Sequence, residues 1–306
     1  CAGGVRTEAT YTVEEVQLPE GFSTFNFVVK CLTGAPSGDD INKNRANANK
    51  LLVRFLLEQC EKTDLRLCDI QAGGLHNAIP REAHATVAVP TAYAATFVTE
   101  LEAFVAKVRE EFSVTEPDLT AALEAADAAS TCICPEQAVR MLKSLSVVHN
   151  GIFAMSQDLE GLVETSSNLA SVRKHGNQVV ATTSQRSSVA SNLEYMAAVV
   201  RSAFELGGAK CVTNEGYPGW KMNPKSEILK VCVESYKRLF GKEPLVRAIH
   251  AGLECGLFSE KYPNLDMVSF GPTLRGVHSP DERLLIPTVQ MVWDHLLDVL
   301  KNVPEK

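Results

Sequence analysis

Several residues of this chain have side chains and surroundings suited to chemistry. His278 sits in Gly276-Val277-His278-Ser279-Pro280-Asp281-Glu282, a Gly/Pro-punctuated loop after the apolar run Leu265–Phe270. Functional groups of α/β sheets gather in such loops, which makes His278 a metal-ligand candidate. A lone loop imidazole is equally suited to plain solvation. Arg186 follows the run Gln178–Ser184. Its guanidinium can clamp a carboxylate with two parallel hydrogen bonds, or pair with an acid at the surface. Asn77 ends a Gly-Gly-Leu-His turn, where its amide can serve a substrate or the turn itself. Glu254 lies in His250-Ala251-Gly252-Leu253-Glu254-Cys255-Gly256 and can meet an amine or cap a helix. His250 of the same loop reads equally well as a satisfied structural histidine.

These residues do not add up to a metal centre. None of the seven histidines is followed by x-Asp. The pairs Glu14-Glu15 and Glu110-Glu111 fall in a strand-like tail and at a helix end, where solvated faces are expected. Cys132 and Cys134 form CxC with no second pair at zinc-ribbon spacing, so they read as structural thiols. A zinc ion takes about four ligands, and one histidine does not supply them.

The chain has 306 residues, 45% hydrophobic and 22% charged, which suits a soluble globular protein of one large or two smaller domains. A net charge of −7 argues against a nucleic-acid partner, which would want a basic face. No apolar run reaches the roughly 18 residues of a membrane span. Nine scattered cysteines, an odd number, point to reduced thiols in the cytoplasm or another reducing compartment. The opening Cys1-Ala2-Gly3-Gly4 has neither an initiator Met nor a signal pattern, so the sequence is expected to start inside a longer polypeptide.

The elements that must position these residues follow from periodicity. Phe25–Lys30 reads as a strand, and Gly34–Asp40 as turn. Asp39 or Asp40 is placed to cap a helix from about Ile41 to Glu61. Strands at Leu65–Ile70 and His84–Val89 and a helix over Thr91–Glu111 complete β-α-β-β-α, the start of a split βαβ sandwich. The Ala-rich stretch 113–150 reads as helical, most clearly over Glu136–Val148. A hairpin follows (Leu162–Val172 and Gln178–Ser184), then a helix (Asn192–Leu206) and a strand (Lys210–Asn214), giving a mixed layer. Beyond the turn-rich Gly216-Tyr217-Pro218-Gly219-Trp220 come a helix (Lys225–Phe240), strands near Leu245–Ile249 and Leu265–Phe270, and a last helix (Pro287–Lys301). The fold class is therefore α/β, with an α+β layer ahead of an alternating α/β portion.

At this point the chain resembles the cytosolic nonspecific dipeptidases, also called aminoacyl-histidine dipeptidases. The resemblance rests on Asn47-Ala48-Asn49-Lys50-Leu51-Leu52-Val53-Arg54-Phe55-Leu56, Asn77-Ala78-Ile79-Pro80-Arg81-Glu82 and Glu164-Thr165-Ser166-Ser167-Asn168. It extends to the Gly216–Trp220 motif, His250–Phe258 and Gly276–Glu282, in order along nearly the whole chain. It implies a lid domain over 22–216, usually the dimer contact, and the C-terminal portion of a zinc-peptidase catalytic domain over 217–306. Residues 1–21 would be the tail of that domain's N-terminal stretch. Family members hold two zinc ions, with most ligands in that stretch, so this chain is expected not to bind them stably by itself.

The resemblance also implies roles for single residues. His278 matches a zinc ligand, and Arg186 matches the residue that holds the dipeptide's C-terminal carboxylate. Asn77 matches one that reaches the substrate across the dimer, and Glu254 is placed near the substrate's free amine. Where the family reads Gly-Gly-His-Ser-Gly, this chain reads Gly34-Ala35-Pro36-Ser37-Gly38. The family His stabilises the oxyanion, and Pro36 has no donor to replace it. Loss of one such donor typically costs about a hundred- to a thousandfold in rate. The chain is thus expected to be a dipeptidase homologue that is inactive alone and serves as a structural or binding subunit, in a homodimer or a larger assembly. The other reading is an active dipeptidase, cleaving unblocked dipeptides when the N-terminal half is present.

Overall fold

Alternation of inward Thr7, Ala9 and Tyr11 with outward Arg6, Glu8 and Thr10 makes Gly3–Thr12 a strand, β1, buried on one side. The structure is a computed structural model, and it describes residues 1–157, 159–220, 223, 225–277 and 282–303. After β1 come β2 (Glu15–Gln17), β3 (Phe22–Lys30), the two-residue β4 (Ala35–Pro36) and helix α1 (Ala48–Lys62). Next are β5 (Arg66–Gly73), β6 (Ala78–Ile79), β7 (Ala83–Pro90), α2 (Ala94–Glu111), β8 (Thr120–Ala125) and β9 (Thr131–Ile133). Then come α3 (Pro135–Val147), β10 (Gly151–Met155), β11 (Val163–His175), β12 (Gln178–Ser187), α4 (Ala190–Leu206) and β13 (Lys210–Thr213). The C-terminal part holds α5 (Glu227–Phe240), α6 (Cys255–Lys261), β14 (Leu274–Arg275), β15 (Arg283–Leu284) and α7 (Pro287–Asn302).

Nine strands form one sheet in the order β13-β1-β12-β11-β5-β7-β3-β8, with β10 added beside β11. All its described pairings are antiparallel. The run β3-α1-β5-β7-α2-β8, with β7 and β3 central, is the split βαβ arrangement. Residues 3–12 form an interior strand of this sheet, with β12 on one edge and β13 on the other. Ten residues of β1 pair in register with β12, which satisfies their buried backbone amides and carbonyls.

Helices α1 to α4 cover one face of the sheet and share one core with it. Phe55 of α1 stands at its centre, with ring centroids 4.8 Å from Phe27, 5.5 Å from Phe97 and 5.1 Å from Phe104. Met141 and Leu142 of α3 and Met196, Val200 and Phe204 of α4 extend it. In the C-terminal part α5 packs on α7, where buried His295 bonds the Cys232 carbonyl at 2.9 Å. All nine cysteines are free. Among the described residues no helix is long and apolar enough to cross a membrane.

Three local expectations change. Helix α1 starts at Ala48, not near Ile41, and its cap is Asn47, whose side chain accepts from the amides of Asn49 and Lys50. Asp40 is occupied by ion pairs with Lys43 and Arg45, and Asn44 takes a left-handed φ of 51° that no helix continues through. The Ala-rich stretch contributes β8, because the free edge of β3 takes Thr120–Ala125 as its partner and overrides alanine's helical preference. Leu245–Ile249 and Leu265–Phe270 form no strand, and Leu245, Leu265 and Phe270 are exposed. Neither run has a neighbouring strand among the described residues, and without a ladder β-formers do not make a strand.

Candidate functional site

The outward face of the sheet carries a row of residues set by register. Gly4 of β1 lies opposite Arg186 of β12, and Arg186 opposite Ser166 of β11. On the other side of Gly4, a single antiparallel bridge brings in Tyr217 from the Gly216–Trp220 loop. Directly opposed residues on antiparallel strands point to the same face. The row therefore runs Tyr217, Gly4, Arg186, Ser166. Tyr217 Oη meets Arg186 Nη1 at 2.7 Å, and Ser166 Oγ bonds Nε2 of His250 at 2.8 Å.

Two loops close over this row. The 250–252 segment is tied to the N-terminal strand by the Ala2 amide, which donates to the Ala251 carbonyl at 3.1 Å. On its far side sits the Gly34–Asp40 turn. A Cβ on Gly38 would lie 2.7 Å from the His250 carbonyl, so only glycine permits this approach. The Ser37 amide donates to the Asn77 carbonyl at 2.8 Å, and Pro36 pairs with Ala78. The Pro36 and Asn77 turns are thus paired with each other, and Gly38 brings them against the His250 backbone.

Burial first, then the nearby positive charge of Arg186, push the His250 pKa down to about 4 against a raising contribution from the Val163 backbone. His250 is therefore neutral at pH 7. Arg186 is half-buried, and it forms no ion pair among the described residues. Its Nε is buried without a hydrogen-bond partner there, as is Ser37 Oγ. An unsatisfied cation beside a loop-closed surface is a place for an anionic group.

The turn holding Pro36 is fixed from below by Glu116. Its buried carboxylate accepts from the Thr33 amide at 2.6 Å and from the Ala46 amide at 3.0 Å, clasping both ends of the loop. Glu116→Ala is expected to lower stability by about 2 kcal/mol by orphaning two backbone donors. It should also raise hydrogen exchange across 34–46. Unchanged exchange there would show that Glu116 does not hold the loop.

The expected site residues fare differently. Arg186 bonds Tyr217 in the strand row, while Pro36 and Asn77 lie on two turns paired with each other. Glu254 is exposed and precedes α6 without a side-chain capping bond. His278 lies outside the described residues. Among the described residues no three His, Cys, Asp or Glu side chains group to hold a metal ion. Tyr217, Ser166 and Gly4 were given no role from sequence, since only the strand register brings them to Arg186.

Similarity to known proteins agrees with this architecture. A sequence model of the peptidase dimerisation domain matches residues 38–116. The chain is 38% identical over all 306 residues to the cytosol non-specific dipeptidase of Escherichia coli (strain K12), and it spans 63% of that protein's length. The aminoacylhistidine dipeptidase of Vibrio alginolyticus superimposes with a TM-score of 0.87 at 38% identity, covering 100% of this chain and 62% of that one. The chain is similar to these dipeptidases along its whole length, as its motifs led one to expect.

Proposed function

We propose that this chain holds short peptides by their C-terminal carboxylate at Arg186, as the peptide-binding portion of a dipeptidase-type protein. By itself it turns them over weakly or not at all. The observation that carries the reading is the half-buried Arg186 guanidinium with no acidic partner among the described residues. The relatives' names, a non-specific dipeptidase and an aminoacylhistidine dipeptidase, supply the substrate class. In this reading Asn77, whose turn pairs with the Ser37 turn, and Glu254, which precedes α6 in the 250–256 loop, serve the substrate side as well. Pro36 provides no donor for an oxyanion, which favours binding over rapid hydrolysis. Zinc in a complete site with His278 as one ligand, a homodimer through the 38–116 region, and a cytosolic setting complete the reading.

The test is equilibrium binding of alanyl-histidine and of its C-terminal amide to the 306-residue chain. The free acid is expected to bind at least about tenfold more tightly than the amide, and Arg186→Met to erase the difference. Equal affinities for acid and amide in the unsubstituted chain would sink the carboxylate role. A parallel measurement of metal content and dipeptide hydrolysis with added zinc or manganese separates the two readings. Bound metal with rapid turnover would favour an active dipeptidase instead.

A further inference from the structure

We propose that Tyr217 is a positioning residue that aims the Arg186 guanidinium, and that Gly4 must be glycine so that Tyr217 can reach it. The inference rests on the reading of Arg186 as the carboxylate holder. It goes beyond that reading by explaining how the cation is kept ready.

Neighbouring strands lie about 4.8 Å apart, so residues two strands apart in a row are separated by about 10 Å. Tyr217 and Arg186 are such a pair, with Gly4 between them. The Gly4 amide donates to the Tyr217 carbonyl at 3.0 Å, and the Tyr217 amide donates back to the Gly4 carbonyl at 2.9 Å. This pair of hydrogen bonds locks Tyr217 opposite Gly4, and Gly4 is in turn paired with Arg186. The phenol then spans the middle strand to its 2.7 Å contact with Nη1.

That span is possible only over a residue without a side chain. A Cβ on Gly4 would lie 2.6 Å from Tyr217 Oη and 2.8 Å from the carbon that bears it. The other wall of the slot is Gly252, where a Cβ would come within 2.5 Å of the ring. Two glycines from opposite ends of the chain thus form a slot for one phenol ring. The phenol oxygen engages Nη1 and leaves Nη2 without a hydrogen bond among the described residues. A guanidinium anchored at one nitrogen keeps its donor fork pre-oriented, so less freedom is lost when a carboxylate arrives.

The experiment compares alanyl-histidine with its C-terminal amide on the unsubstituted chain and on Tyr217→Phe, Gly4→Ala and Arg186→Met. Tyr217→Phe and Gly4→Ala are each expected to reduce the preference for the free acid about fivefold, the scale of losing one ordinary hydrogen bond. A purely structural defect would weaken acid and amide alike and leave their ratio unchanged. A ratio untouched by Tyr217→Phe but erased by Arg186→Met overturns the positioning role while sparing the carboxylate reading. A ratio untouched by Arg186→Met overturns the carboxylate reading itself. A second measurement needs no ligand: nitrogen-15 relaxation of the Arg186 side chain. Tyr217→Phe is expected to make that guanidinium more mobile, and unchanged mobility would also overturn the proposal.

Discussion

Acidification from pH 7.5 to pH 4 is expected to cost the folded chain about 3 kcal/mol through His250 alone. Burial, then the charge of Arg186, lower its pKa to about 4 in the folded state from an ordinary 6.5. Between those values the unfolded chain binds the proton and the folded chain does not. Stability therefore falls as pH falls through this window, and the contribution is complete above about 6.5. The measurement is urea unfolding at pH 7.5 and pH 4 for the unsubstituted chain and His250→Gln. Carboxylates titrate in both proteins, so the difference between the two pH responses isolates His250. Identical responses would mean that His250 charges freely in the folded state. The same experiment bears on the site, because protonation would place a second cation beside Arg186 and break the arrangement built on Ser166.

Phe55→Ala is expected to destabilise the chain by about 3–5 kcal/mol. Phe55 is fully buried, and its ring touches those of Phe27 on β3 and of Phe97 and Phe104 on α2. Truncation would remove its transfer energy and leave a cavity among large, rigid neighbours that cannot close in. Phe55→Leu refills most of that volume and should cost much less. Denaturant unfolding reads both, and a loss below about 1 kcal/mol for Phe55→Ala would show that the cluster relaxes instead of holding. The effect reaches the site through α1, since Asn47 at its start also donates to the Leu169 carbonyl of β11, the strand that carries Ser166.

Much of the scaffold was legible because its signals are local. Phe25–Lys30, the β11–β12 hairpin with its turn at Gly176-Asn177, α2, α4 and α7 are announced by their own periodicity. So is the kinship with dipeptidases, carried by short contiguous motifs. The exceptions are elements whose fate lies elsewhere in the chain. Thr120–Ala125 has a helix former's composition, yet β3 needed an edge partner. Leu265–Phe270 has a strand's composition, yet no ladder stands beside it among the described residues. Asp40 has a cap's chemistry, but Lys43 and Arg45 took its carboxylate.

The sequence by itself determined which residues can do chemistry here: the guanidinium of Arg186, the imidazole of His250, and the absence of a side-chain donor at Pro36. Only the tertiary structure decided which of them meet. Tyr217 and Gly4 are far apart along the chain, and nothing near either one announces the other. They become neighbours of Arg186 because backbone amides and carbonyls of distant strands must pair when buried, and one register satisfies them. A shift of that register by a single residue would turn Arg186 into the core and leave the phenol nothing to hold.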